Sequence, residues 1–153
     1  MTPLHAHGPR PETIVDYLRT TYPDTDVVDS GGAWFFSLDP ERHWPNYATI
    51  VSTDDFDQAS NLSRPGVFRL NIGVDRATFE RVVGPAGELD ESTVDYAVLD
   101  RVLPHPVYAA QRWMCILNPG PTTWAEVVIP LLAVAHDRLA AQLARQGRAR
   151  PAG

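Results

Sequence analysis

The clearest pattern in the chain lies at Val67–Val74, where Phe68, Leu70, Ile72 and Val74 alternate with Val67, Arg69, Asn71 and Gly73. A period of two sends successive side chains to opposite faces of an extended strand. The segment therefore predicts a half-buried strand, with Arg69 and Asn71 on the face away from the apolar row. Shorter apolar runs predict strands at Val27–Val28, Ala33–Leu38, Ala48–Ser52 and Tyr108–Leu117. Helical spacing takes over elsewhere. Pro11 and Glu12 open a helix with an apolar face of Ile14, Val15, Tyr17 and Leu18, and Pro23 stops it. Asp75 is placed to cap a helix over Arg76–Val83, which Gly84 and Pro85 close. A helical turn is expected at Tyr96–Val102, ended by Pro104. Leu132, Ala135, Leu139 and Leu143 share one face of a last helix that starts at Thr122 or Thr123. Pro130 lies inside it and predicts a short first turn, then a kink or restart.

The order of elements predicts an α+β fold: a single antiparallel β-sheet with helices packed mainly on one face. The other face is expected to lie open to solvent or to a ligand. Residues 1–10 read as a flexible leader, 11–146 as one α+β domain and 147–153 as a disordered tail. A chain of 153 residues suits one domain and needs no metal or disulfide to hold its core.

Composition narrows the chemistry. The lone Cys115 forms no internal disulfide and no zinc site. No apolar run approaches the roughly 18 residues of a membrane span, and no signal pattern opens the chain, so a cytoplasmic location and no membrane partner are expected. The net charge of −6 argues against a nucleic-acid partner, since such binding draws on Lys and Arg at phosphates. All 13 basic residues are Arg, which excludes a Schiff-base lysine and a phosphate-loop lysine. The motifs GxSxG, GxGxxG, HExxH and CxxC do not occur. No cofactor and no metal are implied.

Candidate chemistry begins with Arg69 and Asn71. If neighbouring strands keep register, Phe35, Ser37 and Thr49 join them on the uncovered face. An Arg among such groups can hold a carboxylate or phosphate bidentately, or stack a ring. A solvated strand face with an ordinary ion pair would look the same in sequence. Asp54, Asp55 and Asp57 resemble the start of a calcium loop, but Ala59 and Pro65 stand where that loop needs Gly and Glu. Turns closed by aspartate side chains are the simpler expectation. His105 is held between Pro104 and Pro106 with Tyr108 nearby, which suits either acid–base work or a tight turn. Trp44, in a Pro-flanked loop, is the tryptophan expected at the surface. Cys115 shares a face with Trp113 and Leu117 and reads as a buried, inert thiol. His136 reads as structural, and His5 and His7 lie in the leader.

The segments RPGVFRLNIGV and HPVYAAQRWMCILNP, with YATIVSTDDFDQASNLSRPG and the closing helix, resemble an uncharacterised bacterial family catalogued only as a domain of unknown function. The likeness runs from about Pro11 to about Leu143. The layout is also similar to that of MmcQ/YjbR-like proteins, which implies a compact α+β domain, with DNA binding proposed for some members. Neither resemblance carries a catalytic residue onto this chain.

The reading that follows is a non-catalytic binding domain. It would engage a small anionic or aromatic molecule, or a protein partner, over the open sheet face at Arg69 and Asn71, with Trp44, Asp57 and His105 at the rim. The alternative is a cofactor-independent enzyme with His105 or Asp57 as acid–base and Arg69 on an oxyanion. A third reading is a weak DNA-binding or regulatory domain. A monomer or a homodimer fits each.

Overall fold

The structure is a computed structural model describing residues 8–84 and 90–149. Strands β1 (Asp26–Asp29), β2 (Ala33–Ser37), β3 (Asn46–Val51), β4 (Arg69–Gly73), β5 (Leu103–Pro104) and β6 (Trp113–Leu117) form one sheet in the order β1-β2-β3-β4-β6-β5. Every pairing is antiparallel. Helices α1 (Pro11–Thr21), α2 (Arg76–Val83) and α3 (Ile129–Ala149) complete an α+β architecture.

Register explains where the core sits. Trp34, Ile50, Leu70 and Ile116 are direct neighbours across four strands, and so are Phe36, Ala48, Ile72 and Met114. These rows make one apolar face. Ile14, Val15 and Leu18 of α1, Phe79 of α2, and Leu131, Leu132, Ala135 and Leu139 of α3 pack into the same core. Each fully buried Leu, Ile or Phe contributes about 1.5–3 kcal/mol on area grounds.

The opposite face carries two mixed rows, Ala33–Val51–Arg69–Leu117 and Phe35–Thr49–Asn71–Cys115. It is not open as expected. The segment joining β3 to β4 lies across it, and Ala33, Val51, Leu62, Val67 and Leu117 form a second small core there, flanked by Phe35 and Leu99. Two of the three aspartates of that segment close its turns. Asp54 accepts from the N–H of Leu62 at 2.8 Å and Asp57 from that of Ala59 at 3.2 Å. Arg64 donates to the carbonyls of Ser60, Asn61 and Ala97, fastening the segment to the stretch before β5.

Several elements differ from expectation. The run Tyr108–Leu117 is a strand only from Trp113. Before it, Ala109–Gln111 form a 3-10 turn and Arg112 takes φ 65°, reversing the chain into β6. Tyr96–Val102 is not helical; a 3-10 turn falls at Glu91–Thr93, and the short β5 was not foreseen. Asp75 occupies the N-cap position of α2, yet its side chain makes no cap bond and its Oδ1 is buried without a partner. The last helix opens with a turn at Pro121–Thr123 and a π-helical turn at Trp124–Val128. Pro130 has no N–H for the carbonyl of Glu126, and the wider turn accommodates that loss.

At the ends, α3 continues to Ala149, three residues into the segment expected to be a disordered tail, so that residues 147–149 are helical. Within the expected leader, Gly8 lies so close to Pro119 that a Cβ would stand 2.0 Å from its carbonyl oxygen. Residues 1–7, His5 and His7 included, and residues 150–153 fall outside the described residues. The helical stretch Pro121–Gly147 is long and apolar enough to cross a membrane by length and composition, contrary to the reading from apolar runs. Val128, Leu131, Leu132, Ala135 and Leu139 of this stretch are buried in the core against the sheet.

Candidate functional site

Arg69 is the largest fully buried side chain among the described residues, at 1% exposure. Sequence alternation put it on a solvated face; the β3–β4 segment buries it instead. A guanidinium cannot lose its charge there, so it must be paired and hydrogen-bonded. Its Nη1 and Nη2 donate to the two carboxylate oxygens of Asp57 at 2.9 and 2.7 Å. Nη1 also donates to Ser60 Oγ at 3.0 Å, and Nε to Asn71 Oδ1 at 2.9 Å. Asn71, itself buried, passes the network on by donating to Thr49 Oγ1 at 3.0 Å. Four of the five guanidinium N–H groups are thus engaged within the protein. The Arg69 hydrogen bonds hold the Asp57 carboxyl below its usual range, outweighing burial.

This corrects the expectation that Arg69 offers its fork to a ligand anion or an oxyanion. Asp57 already fills the fork and cancels the charge. The same pairing engages both oxygens of the Asp57 carboxylate.

His105 is buried beside this pair. Its Nδ1 accepts the main-chain N–H groups of Val107 and Tyr108, each at 3.0 Å, closing the turn that Pro104 and Pro106 frame. Burial drives its pKa down from 6.5 to about 4; the Arg69 charge adds to that and Asp57 opposes it. The ring is therefore neutral at pH 7. With Nδ1 accepting, its proton sits on Nε2, which has no partner among the described residues.

These groups line one cavity of about 540 Å³. Its floor is Phe35, Thr49, Val51, Arg69 and Asn71 from β2–β4. Trp44 and Pro45 come from the β2–β3 loop, Asn46 from the start of β3, and Phe56 and Asp57 from the β3–β4 segment. His105, Val107, Tyr108 and Trp113 approach from the β5–β6 side, and Arg138, Leu139 and Gln142 from α3. Eight of the residues singled out in the sequence, Phe35, Trp44, Thr49, Asp57, Arg69, Asn71, His105 and Tyr108, are on its wall.

Local geometry makes the space. Gly73 faces Trp113 across the β4–β6 ladder, where a Cβ would come within 2.7 Å of the indole, so the ring lies against bare backbone. A register shift between Phe36 and Ser37 interrupts the alternation at the start of β3. Tyr47 there joins the helix-side core, while Asn46 borders the cavity. Phe56 meets Phe35 edge to face at 6.0 Å, and the rings of His105 and Tyr108 lie 5.1 Å apart.

Trp44, Phe56, Val107 and Tyr108 are each more than half exposed, and all four border this cavity. Phe56 and Val107 were not singled out from the sequence. A lone aromatic within TDDFDQ, and an apolar residue directly after Pro106, were the available signals. Ser60 and the α3 residues left no such trace. Ser37 lies off the cavity and donates to Asp26 at 3.1 Å.

Cys115 is buried under the network, and burial pushes its thiol up to about 12. It is inert at neutral pH. His136 packs on Tyr22 and contacts Asp24 and Asp137, tying α3 to the loop after α1. Among the described residues, no cluster of His, Cys, Asp and Glu is arranged to hold a metal. A wider depression of about 970 Å³ borders the start of α1, Trp34 and residues 62–68; none of the eight residues lines it.

The fold and cavity define a small α+β domain with an aromatic-rimmed pocket on the loop-covered face of its sheet. A family described as a family of unknown function, DUF6194, matches residues 9–148, and the chain belongs to it. Neither the curated proteins nor the solved structures gave a match. The similarity of layout to MmcQ/YjbR-like proteins is carried by none of these comparisons.

Proposed function

We propose that the protein is a non-catalytic domain that binds a small molecule carrying an aromatic ring in the 540 Å³ cavity. One observation carries this reading: the four large apolar side chains that the described fold leaves most exposed all converge on one concave mouth. Exposed aromatic surface is costly in water and characteristic of recognition sites. A cavity of this size is in the range of small-molecule pockets, with a few polar groups set among apolar walls. A concave space of this kind suits a small molecule better than the surface of a protein partner.

The polar groups support binding over catalysis. The basic lone pair of His105 is taken by two main-chain N–H groups, and the other nitrogen carries the proton. Asp57 is held by Arg69. Neither is free to accept a proton from a substrate. A nucleic-acid partner is disfavoured by the net charge of −6 and by the commitment of Arg64 and Arg69 to internal partners. A cytoplasmic setting fits a single buried thiol with no disulfide partner.

The test is an amide NMR screen of uncharged aromatic fragments against the protein and its Trp44→Ala variant. Shifts are expected to cluster at residues 44, 56, 105, 107 and 108, with affinity about tenfold weaker in the variant, as for loss of one aromatic contact. The variant should keep its stability within about 0.5 kcal/mol, because the indole is at the surface. Shifts scattered over the surface, or gathered beside Trp34, would overturn the reading.

A further inference from the structure

We infer that the cavity selects an uncharged planar ligand that presents a hydrogen-bond acceptor to Nε2–H of His105, an inference that rests on the binding reading above. Three observations carry it.

The first is charge. Arg69 and Asp57 form a closed pair on the wall, joined through the two terminal guanidinium nitrogens, Nη1 and Nη2. An incoming carboxylate would have to displace Asp57 from it. An incoming cation would meet the guanidinium with its counter-charge already spent. The remaining charged group on the wall, Arg138, is exposed on α3, where water and salt screen it.

The second is the hydrogen-bond inventory. His105 lines the cavity with Nδ1 fixed as an acceptor toward the main chain. Its other nitrogen is left as a donor without a partner among the described residues. The depressed pKa keeps that donor neutral through the physiological range. One N–H of Arg69 Nη2 is likewise unengaged. These two unengaged N–H groups lie on one part of the wall, and the ligand edge that complements them is an acceptor such as a carbonyl or a ring nitrogen.

The third is shape. Trp44, Phe56 and Tyr108 bring flat faces to the mouth, and Phe35 backs Phe56 edge to face. Flat faces favour a planar guest by stacking.

Four matched probes test the inference by NMR titration: acetophenone (uncharged, with an acceptor), benzoate (its anionic counterpart), phenyltrimethylammonium (cationic) and α-methylstyrene (the same shape without an acceptor). Acetophenone is expected to shift the amides of His105, Val107 and Tyr108 and to bind about threefold to tenfold more tightly than α-methylstyrene, the range of one neutral hydrogen bond. Benzoate and phenyltrimethylammonium are expected to bind about tenfold more weakly still. In His105→Asn the carboxamide oxygen replaces Nδ1 as the acceptor of the turn, while the Nε2–H donor is lost. That variant should erase the advantage of acetophenone and leave α-methylstyrene unchanged.

Tighter binding of benzoate or of phenyltrimethylammonium overturns the uncharged class while the aromatic pocket stands. Equal binding of acetophenone and α-methylstyrene, insensitive to His105→Asn, overturns the acceptor requirement and again leaves the pocket. If no probe moves the cavity amides, the binding reading itself fails.

Discussion

The two faces of the sheet are covered by different means. On one, α1, α2 and α3 press apolar side chains onto Phe36, Ala48, Ile50, Leu70, Ile72, Met114 and Ile116. On the other, polypeptide without regular structure lies over Thr49, Arg69, Asn71 and Cys115, and holds its place through a carboxylate, a guanidinium, a carboxamide and two hydroxyls. A helix satisfies its own main chain and needs only an apolar stripe to dock. A loop has no such ladder, so its cover must be fixed by specific polar bonds. Dispersion packing fills one face to the limit. Directional bonds on the other leave room for a cavity.

The difference is broken most directly at Asp57. Asp57→Ala leaves the Arg69 guanidinium buried with no counter-charge, and an expected loss of about 3–5 kcal/mol follows in chemical unfolding. Arg69→Met should cost less, because Asp57 keeps some contact with water. Combining Asp57→Leu with Arg69→Met should recover most of the loss, since an apolar pair replaces an ionic one. A double variant as unstable as the sum of its parts would show that the loop cover is not held by the pair.

The helix side should behave otherwise. Leu132→Ala is expected to cost about 3 kcal/mol through lost burial and an unfilled cavity, and no single charge change elsewhere should restore it. Its measurement beside the Asp57 series sets the scale of the comparison.

The smallest effect at neutral pH, growing with acid, belongs to His105. Its folded pKa is about 4 against an ordinary 6.5, so between those values the unfolded chain takes up a proton that the folded chain refuses. Stability is full above pH 6.5 and falls as pH drops, by roughly 3 kcal/mol near pH 4. Asp57, with its pKa held low by Arg69, adds a further loss below 3.8. Thermal melts from pH 7 to 4 should slope steeply in the native protein. In His105→Asn the slope between 6.5 and 4 should flatten; an unchanged slope would assign the acid sensitivity elsewhere.

How much of this was legible follows from what sequence patterns encode. Alternation in Phe68–Val74 correctly paired Arg69 with Asn71 on one face, and register added Phe35 and Thr49. Alternation says which residues share a face, never what lies over it. The segment from Ser52 to Gly66 has no period, so its docking on Arg69 left no trace beyond a surplus of aspartates. Pro104 and Pro106 announced a turn at His105, but the αL backbone of Arg112 carried no glycine to mark it. The π-helical turn before Pro130 was readable as a restart because the missing N–H is a local fact. The cavity's α3 wall was not, since Arg138 and Gln142 meet the sheet only through tertiary packing.

The strand order has a consequence for synthesis. β6 inserts between β4 and β5, about forty residues after β4 leaves the ribosome. Until then β4 is an edge, with one side of its main chain unpaired and able to recruit a foreign strand. Asp57 and Ser60 precede Arg69 in the chain and can engage it before β6 exists, placing a closed, polar strap over that edge strand while the nascent chain waits for its neighbour.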